Sequence, residues 1–252
     1  LTDAVTALDL NDPIFEIGVT PNRGDCLSVR GIARDLTAKG AGTLKPLNIK
    51  KATTEEFESP ISWSIQNDGN SCSLVVSRYY KDIQNSVSPD WLQKKLLSIG
   101  LRPINALVDI TNFITMDLGR PLHVFDADKI GNKLNMRLSN DQEKLLALDN
   151  KEYSLNDTTT VIADGNKPLA IAGIIGGNDS GCTLETKNVF LEVAAFNPSM
   201  VAKTGRKLGI NSDARYRFER GLDLEMVNEG LNYATSLIQD ICGGSFSKKV
   251  HA

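Results

Sequence analysis

Apolar and polar positions alternate along residues 13–20, a period of two that predicts a strand. The turn Pro21-Asn22-Arg23-Gly24-Asp25 follows and opens a predicted helix from about Cys26 to Lys39. Leu27, Val29, Ile32, Ala33 and Leu36 fall on one face of it, and Gly40 ends it. Residues 40–59 are polar and without period, which marks a linker and the best candidate domain boundary. Alternation returns over 61–67 and 73–83, again as strands. Ser88-Pro89-Asp90 has the form of a helix start, with Ser88 as cap, proline in the first turn and an acid at the positive end. That helix is predicted to run to Gly100, and a second from Ala106 to Leu118 with Leu107, Ile110 and Ile114 inward.

From Lys133 to Glu192 the pattern changes to short apolar runs between turns, clearest at 161–163, 169–172 and 189–193. Asn197-Pro198 opens another helix that ends near Gly209. A last long helix, with Asp223 able to cap it, puts Leu224, Val227, Leu231, Leu237, Ile238 and Ile241 on its apolar side before Gly243-Gly244. Runs of strands flanked by helices, rather than strict alternation, predict an α+β fold. Mixed and antiparallel sheets are expected in a partly barrel-like core.

Composition narrows the function classes. The 252 residues are 41% hydrophobic and 23% charged, as in an ordinary globular protein. No apolar run is long enough to cross a bilayer, and the start Leu1-Thr2-Asp3-Ala4 is not that of a signal peptide. The missing initiator methionine suggests a piece of a longer chain. A net charge of −3 argues against a module that holds nucleic acid by itself, because phosphate neutralisation supplies most such affinity. Cys26, Cys72, Cys182 and Cys242 form no Cys-x-x-Cys pair and have only two histidines beside them, so a zinc site is not expected and buried thiols are.

Three segments carry more polar and turn chemistry than a core requires. Arg102-Pro103-Ile104-Asn105 and Gly119-Arg120-Pro121-Leu122-His123 bracket a helix and can return Arg102 and His123 to one end of a domain. Ala172-Gly173-Ile174-Ile175-Gly176-Gly177 runs a strand into a glycine pair, where a ligand can approach the backbone and free N–H groups can bind an oxyanion. Leu191-Glu192-Val193 sets a carboxylate in an apolar strand, where it needs a partner unless it points to solvent. Each segment also has a purely structural reading: a packed histidine, a turn, a solvated glutamate.

In order along the chain these segments are far more specific. Together with Val108-Asp109-Ile110-Thr111-Asn112-Phe113, Ser212-Asp213-Ala214 and Arg217-Phe218-Glu219-Arg220-Gly221, they closely resemble the editing domain of bacterial phenylalanyl-tRNA synthetase β subunits. Thr20-Pro21-Asn22-Arg23-Gly24-Asp25-Cys26-Leu27 resembles the piece just before it. The resemblance covers nearly the whole chain. It implies that residues 1–45 end a preceding domain and that 46–252 form the editing domain, which hydrolyses mischarged tyrosyl-tRNA(Phe). It implies a pocket in which His123, Gly176 and Ser212 serve the chemistry. Glu192, Ala214, Arg102 and Pro121 would hold the substrate, with Glu192 on the tyrosine hydroxyl. Ser212 stands where the family has threonine, and Arg215 where a small polar residue is usual. Whether His123 is a base or only orients groups stays open, as does a scaffold or tRNA-contacting role without catalysis. The implied partners are the synthetase α subunit, in an α2β2 assembly, and the tRNA(Phe) acceptor end; neither membrane nor DNA is implied. No cofactor is expected in this piece, ATP and Mg belonging elsewhere in the enzyme, and the implied location is cytoplasmic.

Overall fold

The computed structural model describes residues 3–7, 13–50, 57–66, 71–165 and 167–252. The fold is α+β, and strand β10 (Val189–Phe196) lies at its centre, buried at all eight positions. It pairs antiparallel on one side with β2 (Cys72–Lys81) and on the other with β3 (His123–Asp126). Two short strands, β11 (Ser245–Phe246) and β12 (Val250–His251), add to the far side of β2. A second sheet runs in the order β1 (Ser62–Ile65), β4 (Lys133–Leu138), β7 (Thr160–Ala163), β8 (Pro168–Ile171), β9 (Ile175–Gly176). It is antiparallel except for the parallel pair β1–β4. A hairpin of β5 (Lys144–Leu146) and β6 (Glu152–Ser154) stands beside it. Both large sheets are open, so the partly barrel-like core predicted from sequence does not close among the described residues.

Alternation along β10 explains the layering. Phe190, Ala194 and Phe196 join Val75 and Phe125 and pack against Trp63, Leu134, Met136 and Ile162 of the second sheet. Val189, Leu191, Val193 and Ala195 face the other way. They pack with Val76, Tyr80 and Val124 against three helices: α3 (Asp90–Ser98), α4 (Ala106–Leu118) and α7 (Met226–Cys242). Successive residues of a strand point to opposite faces, so a strand serving two cores must be apolar throughout. The polar exception is Glu192.

Local signals account for several element ends. α4 matches its predicted span: the Asn105 side chain accepts from the Val108 N–H, and Gly119 ends the helix at φ 73°. α5 (Pro198–Leu208) is capped by Asn197 and ended by Gly209, also as predicted. Other ends shift. α2 (Val29–Ala38) begins three residues later than expected, because Ser28 caps it and residues 24–26 form a 3-10 turn. Residues 13–20 are extended and largely exposed but pair with no strand among the described residues. Ser88 does not cap α3; its hydroxyl donates instead to Asp109 Oδ2 at 2.5 Å. Asp223 accepts from the Glu225 N–H in the turn before α7 rather than capping the helix itself. Part of the predicted linker, residues 51–56, lies outside the described residues. α1 (Ala4–Ala7) is a single exposed turn. The four cysteines form no disulfide; three are buried, whereas Cys182 is partly exposed.

Asp109 is fully buried on α4 and accepts from the Ser88 hydroxyl and from the Ile104 N–H at 2.8 Å. Its carboxylate ties the start of α3 to the turn that opens α4. Removing it strands the buried Ser88 hydroxyl and frees the part-buried Ile104 N–H, at a cost of about 2–3 kcal/mol. Asp109→Ala should therefore lower the unfolding free energy in urea by about that amount. An unchanged midpoint would show that this tie is dispensable.

Candidate active site

His123 and Glu192 are direct neighbours across the β3–β10 ladder. On an antiparallel pair such residues share a face, with their side chains about 5 Å apart at the base. That face looks toward the second sheet, where the strands leave a half-open cleft of about 100 Å³. Pro121 and Leu122 lead into it from β3. Ile171, Ile175 and Gly176 wall it from β8, β9 and the turn between them, while Ala214 and Phe218 close it from α6 (Asp213–Phe218). The lining is apolar apart from the histidine and the glutamate.

Gly176 is small for a reason that the geometry makes plain. A β-carbon there would stand 2.4 Å from His123 Cε1 and 2.9 Å from Nε2. The imidazole therefore rests directly on the β9 backbone, and its other flank meets the Phe125 ring edge-on at 4.4 Å between centroids. His123 Nε2 is buried with no hydrogen-bond partner. Nearby amides are committed: the Ile174 N–H donates to the Ile171 carbonyl and the Gly177 N–H to the Leu169 carbonyl. The second of these bonds makes Ala170 and Gly176 a non-hydrogen-bonded pair, so the Gly176 N–H is directed away from β8.

Burial sets the charge state of the pair. It pulls His123 down to about 4 and pushes Glu192 up to about 8, the latter opposed by the positive charge of Arg120. Among the described residues the Glu192 carboxyl has no hydrogen-bond or ion-pair partner. At neutral pH the floor of the cleft thus holds an uncharged imidazole and a carboxyl whose charged form lacks a direct partner. Unpaired polar groups of this kind are costly in a core and are common at sites that receive a ligand.

The structure brings His123, Gly176, Glu192, Ala214 and Pro121 to one cavity, and leaves Arg102 and Ser212 off its lining. Arg102 is exposed at the turn before α4. Ser212 works from behind: it caps α6 by accepting from the Arg215 N–H at 3.0 Å and donates to the Ile174 carbonyl at 2.6 Å. It thereby pins the helix that carries Ala214 to the turn that lines the cleft. Arg215 does not reshape the rim. It packs against Gly205 of α5, bonding the Ile210 carbonyl and Glu219. Sequence reading missed the aromatic walls Phe196 and Phe218, whose rings meet at 4.9 Å, and the buried Arg120. Only the position of Arg120 between Gly119 and Pro121 hinted at a special role.

The family model of the B3/4 domain matches residues 71–243, a stretch that holds every residue of the cleft. The chain belongs to the B3/4 domain family. Its curated relatives include the phenylalanine–tRNA ligase beta subunit of Brucella melitensis, 51% identical over 245 residues, 96% of this chain and 30% of that one. The same subunit of Paramagnetospirillum magneticum is 52% identical over 244 residues, with the same coverage of each chain. The chain therefore spans about 30% of the length of these relatives. A solved N-terminal fragment of the phenylalanyl-tRNA synthetase beta subunit from Pyrococcus horikoshii aligns with 92% of this chain and 64% of its own, at a TM-score of 0.51. At 17% identity that likeness is one of fold. No helix among the described residues is long and apolar enough to cross a membrane, and no group of three or more His, Cys, Asp or Glu among them is placed to hold a metal ion.

The two buried groups give this B3/4 domain a distinctive stability profile. Glu192 binds its proton more tightly when folded, so its contribution falls as pH rises from its ordinary 4.5 to about 8. His123 binds its proton less tightly when folded, so its contribution rises from about pH 4 to its ordinary 6.5. Below pH 6.5 the two slopes oppose each other. Between about 6.5 and 8 Glu192 acts alone, at up to about 1.4 kcal/mol per pH unit. Unfolding titrations of wild type and Glu192→Gln should diverge steadily over that window, the wild type losing stability and the variant staying flatter. Parallel curves would show that Glu192 titrates normally.

Proposed function

We propose that this chain is the editing portion of a phenylalanine–tRNA ligase β subunit and hydrolyses tyrosine from mischarged tRNA(Phe). The observation that carries this reading is the opposition of His123 and Glu192 on the floor of an apolar cleft that Gly176 and Ala214 keep open. Tyrosine is phenylalanine plus one hydroxyl, and an apolar synthetic site rejects an added hydroxyl by only about a hundredfold. A second site can reverse the preference by giving that hydroxyl a partner. In this cleft the aromatic ring lies between the apolar walls and the phenol donates to the Glu192 carboxylate. Phenylalanine would leave that buried group unpaired, at about 1–3 kcal/mol.

The ester that joins an amino acid to the tRNA 3′ end is activated, so its hydrolysis needs neither a metal nor a covalent nucleophile. A neutral His123, its Nε2 unpartnered, can accept a hydrogen bond from an attacking water or from a tRNA hydroxyl. The Gly176 N–H is the local backbone donor for the developing oxyanion. Ser212 serves the site by fixing α6. The partners in this reading are the α subunit, in an α2β2 assembly, and the acceptor end of tRNA(Phe). The protein works in the cytoplasm, and ATP and Mg act elsewhere in the complete enzyme. The rival role of a scaffold with a decayed pocket drew on Ser212 and Arg215, and neither side chain lines the cleft.

Three variants of the full enzyme test the reading. His123→Ala and Glu192→Ala should each slow deacylation of tyrosyl-tRNA(Phe) by more than about tenfold, a loss of at least 1.4 kcal/mol of transition-state binding, while aminoacylation with phenylalanine persists. Ala214→Trp should block the cleft to a similar degree. Deacylation at the wild-type rate in all three would rule out this cavity as the editing site.

A further inference from the structure

Arg120 is 1% exposed and is the bulkiest of the fully buried side chains. It precedes β3, and the β3–β10 ladder stops at the His123–Glu192 pair. Beyond that point Arg120 takes the place of a strand: its Nη1 donates to the Ala194 carbonyl of β10 at 3.1 Å, and Nη2 donates to the Asp223 carbonyl at 2.5 Å. The stem crosses α7 over Gly230, where a β-carbon would come within 2.9 Å of Arg120 Cγ. Its guanidinium is therefore held by two neutral carbonyls, with Nε buried and unpartnered and no ion pair among the described residues. A cation fixed in this way projects its charge onto whatever carboxylate is near, and Glu192 is two residues along the same strand.

We propose that Arg120 is the positioning residue of the cleft, anchoring β10 beyond the end of β3 and supplying the positive field that lets Glu192 act as acceptor for a phenolic hydroxyl. This rests on the reading of Glu192 given above. The other groups around Glu192 cannot take that part. His123 faces it across the ladder and is neutral above about pH 4. From β2, Ser77 lies opposite and accepts from the Trp63 indole N–H at 2.7 Å, while burial drives the Cys72 thiol up to about 11. α6 brings only Ala214 and Phe218, and β8 and β9 bring only aliphatic residues and glycine. Asp223, the other carboxylate near Arg120, is exposed. Among the described residues, Arg120 is thus the one cation that opposes the burial of the Glu192 charge.

The test is the pH profile of tyrosyl-tRNA(Phe) deacylation by the full αβ enzyme, corrected for uncatalysed ester loss. In the wild type the rate should rise with pH along a limb set by Glu192, and Glu192→Gln should abolish that limb. Arg120→Gln should move the limb up by about one pH unit, which is about a tenfold lower rate at pH 7, with aminoacylation intact. Arg120→Lys, which retains a cationic group but loses the two-pronged hold on the carbonyls, should move the limb up by less than Arg120→Gln does. In a Glu192→Gln background Arg120→Gln should add nothing. If it costs the same factor in both backgrounds, or leaves the limb where it was, Arg120 is only a structural strut. Should Arg120→Gln not fold, the surface change Asp223→Asn decides. Freeing Arg120 of that carboxylate should shift the limb down by about 0.3 unit, and an unmoved limb overturns the proposal. If Glu192→Gln itself changes nothing, the editing reading fails first, and the role of Arg120 with it.

Discussion

The site depends on the burial of β10 from both sides. A strand between two cores gains apolar contact on each face, and that contact stabilises the three-layer body. The same burial denies solvent to any polar side chain on the strand. Glu192 could be accommodated more cheaply at a sheet edge, where water would complete its shell. In the middle of β10 its environment is the cleft, the imidazole across the ladder and the positive charge of Arg120. Its perturbed acidity follows directly from the layering of the fold.

That arrangement divides recognition from support. The walls of the cleft are apolar, and in the editing reading proposed above an aromatic ring of either kind would meet them alike. Under that reading, discrimination would fall to the one place where a hydroxyl changes the count of unpaired polar groups. An interaction of that sort is read by its absence, because the wrong ligand leaves a buried group without a partner. Such a site must be held still, and the holding is done from outside the cavity. Ser212 ties α6 to the β8–β9 turn, Arg215 packs α6 against α5, and Arg217 bonds the Leu27 carbonyl to bring the N-terminal piece onto the body.

How much of this was legible in the sequence depends on the range of each interaction. Elements ended by local chemistry were read well, as at Asn105 and Gly119 around α4, or Asn197 and Gly209 around α5. Misreadings arose where a tertiary partner outbid the local one. Ser88 has the form of a cap, but a buried carboxylate 21 residues away takes its hydroxyl. Residues 13–20 alternate as a strand does, yet alternation cannot supply a neighbour to pair with. At the site, the residue types were visible one at a time and their meeting was not. His123 and Glu192 are joined by a register that only the folded sheet defines, and resemblance to a family was needed to set them side by side. Arg102 and Ser212 mark the limit of that route: the motif includes them, while the geometry leaves both off the cleft's lining.

The small residues around the cleft extend the same logic to the histidine. Because Gly176 lets the imidazole lie against the β9 backbone, His123 is wedged between that backbone and Phe125 and has little freedom to rotate. A histidine so confined is poorly suited to shuttling protons, since gaining one would bury a charge away from water, and its low proton affinity reflects that cost. It is well suited to holding one ring nitrogen at a fixed point. The unpartnered Nε2 and the carboxyl opposite are the two polar groups on the floor of the cleft, and each can donate or accept according to where its proton sits. In the editing reading proposed above, a ligand would bring a hydroxyl to the carboxyl and an ester or alcohol to the imidazole. Under that reading tyrosine joined to a ribose would supply both, whereas phenylalanine joined to the same ribose would lack the first.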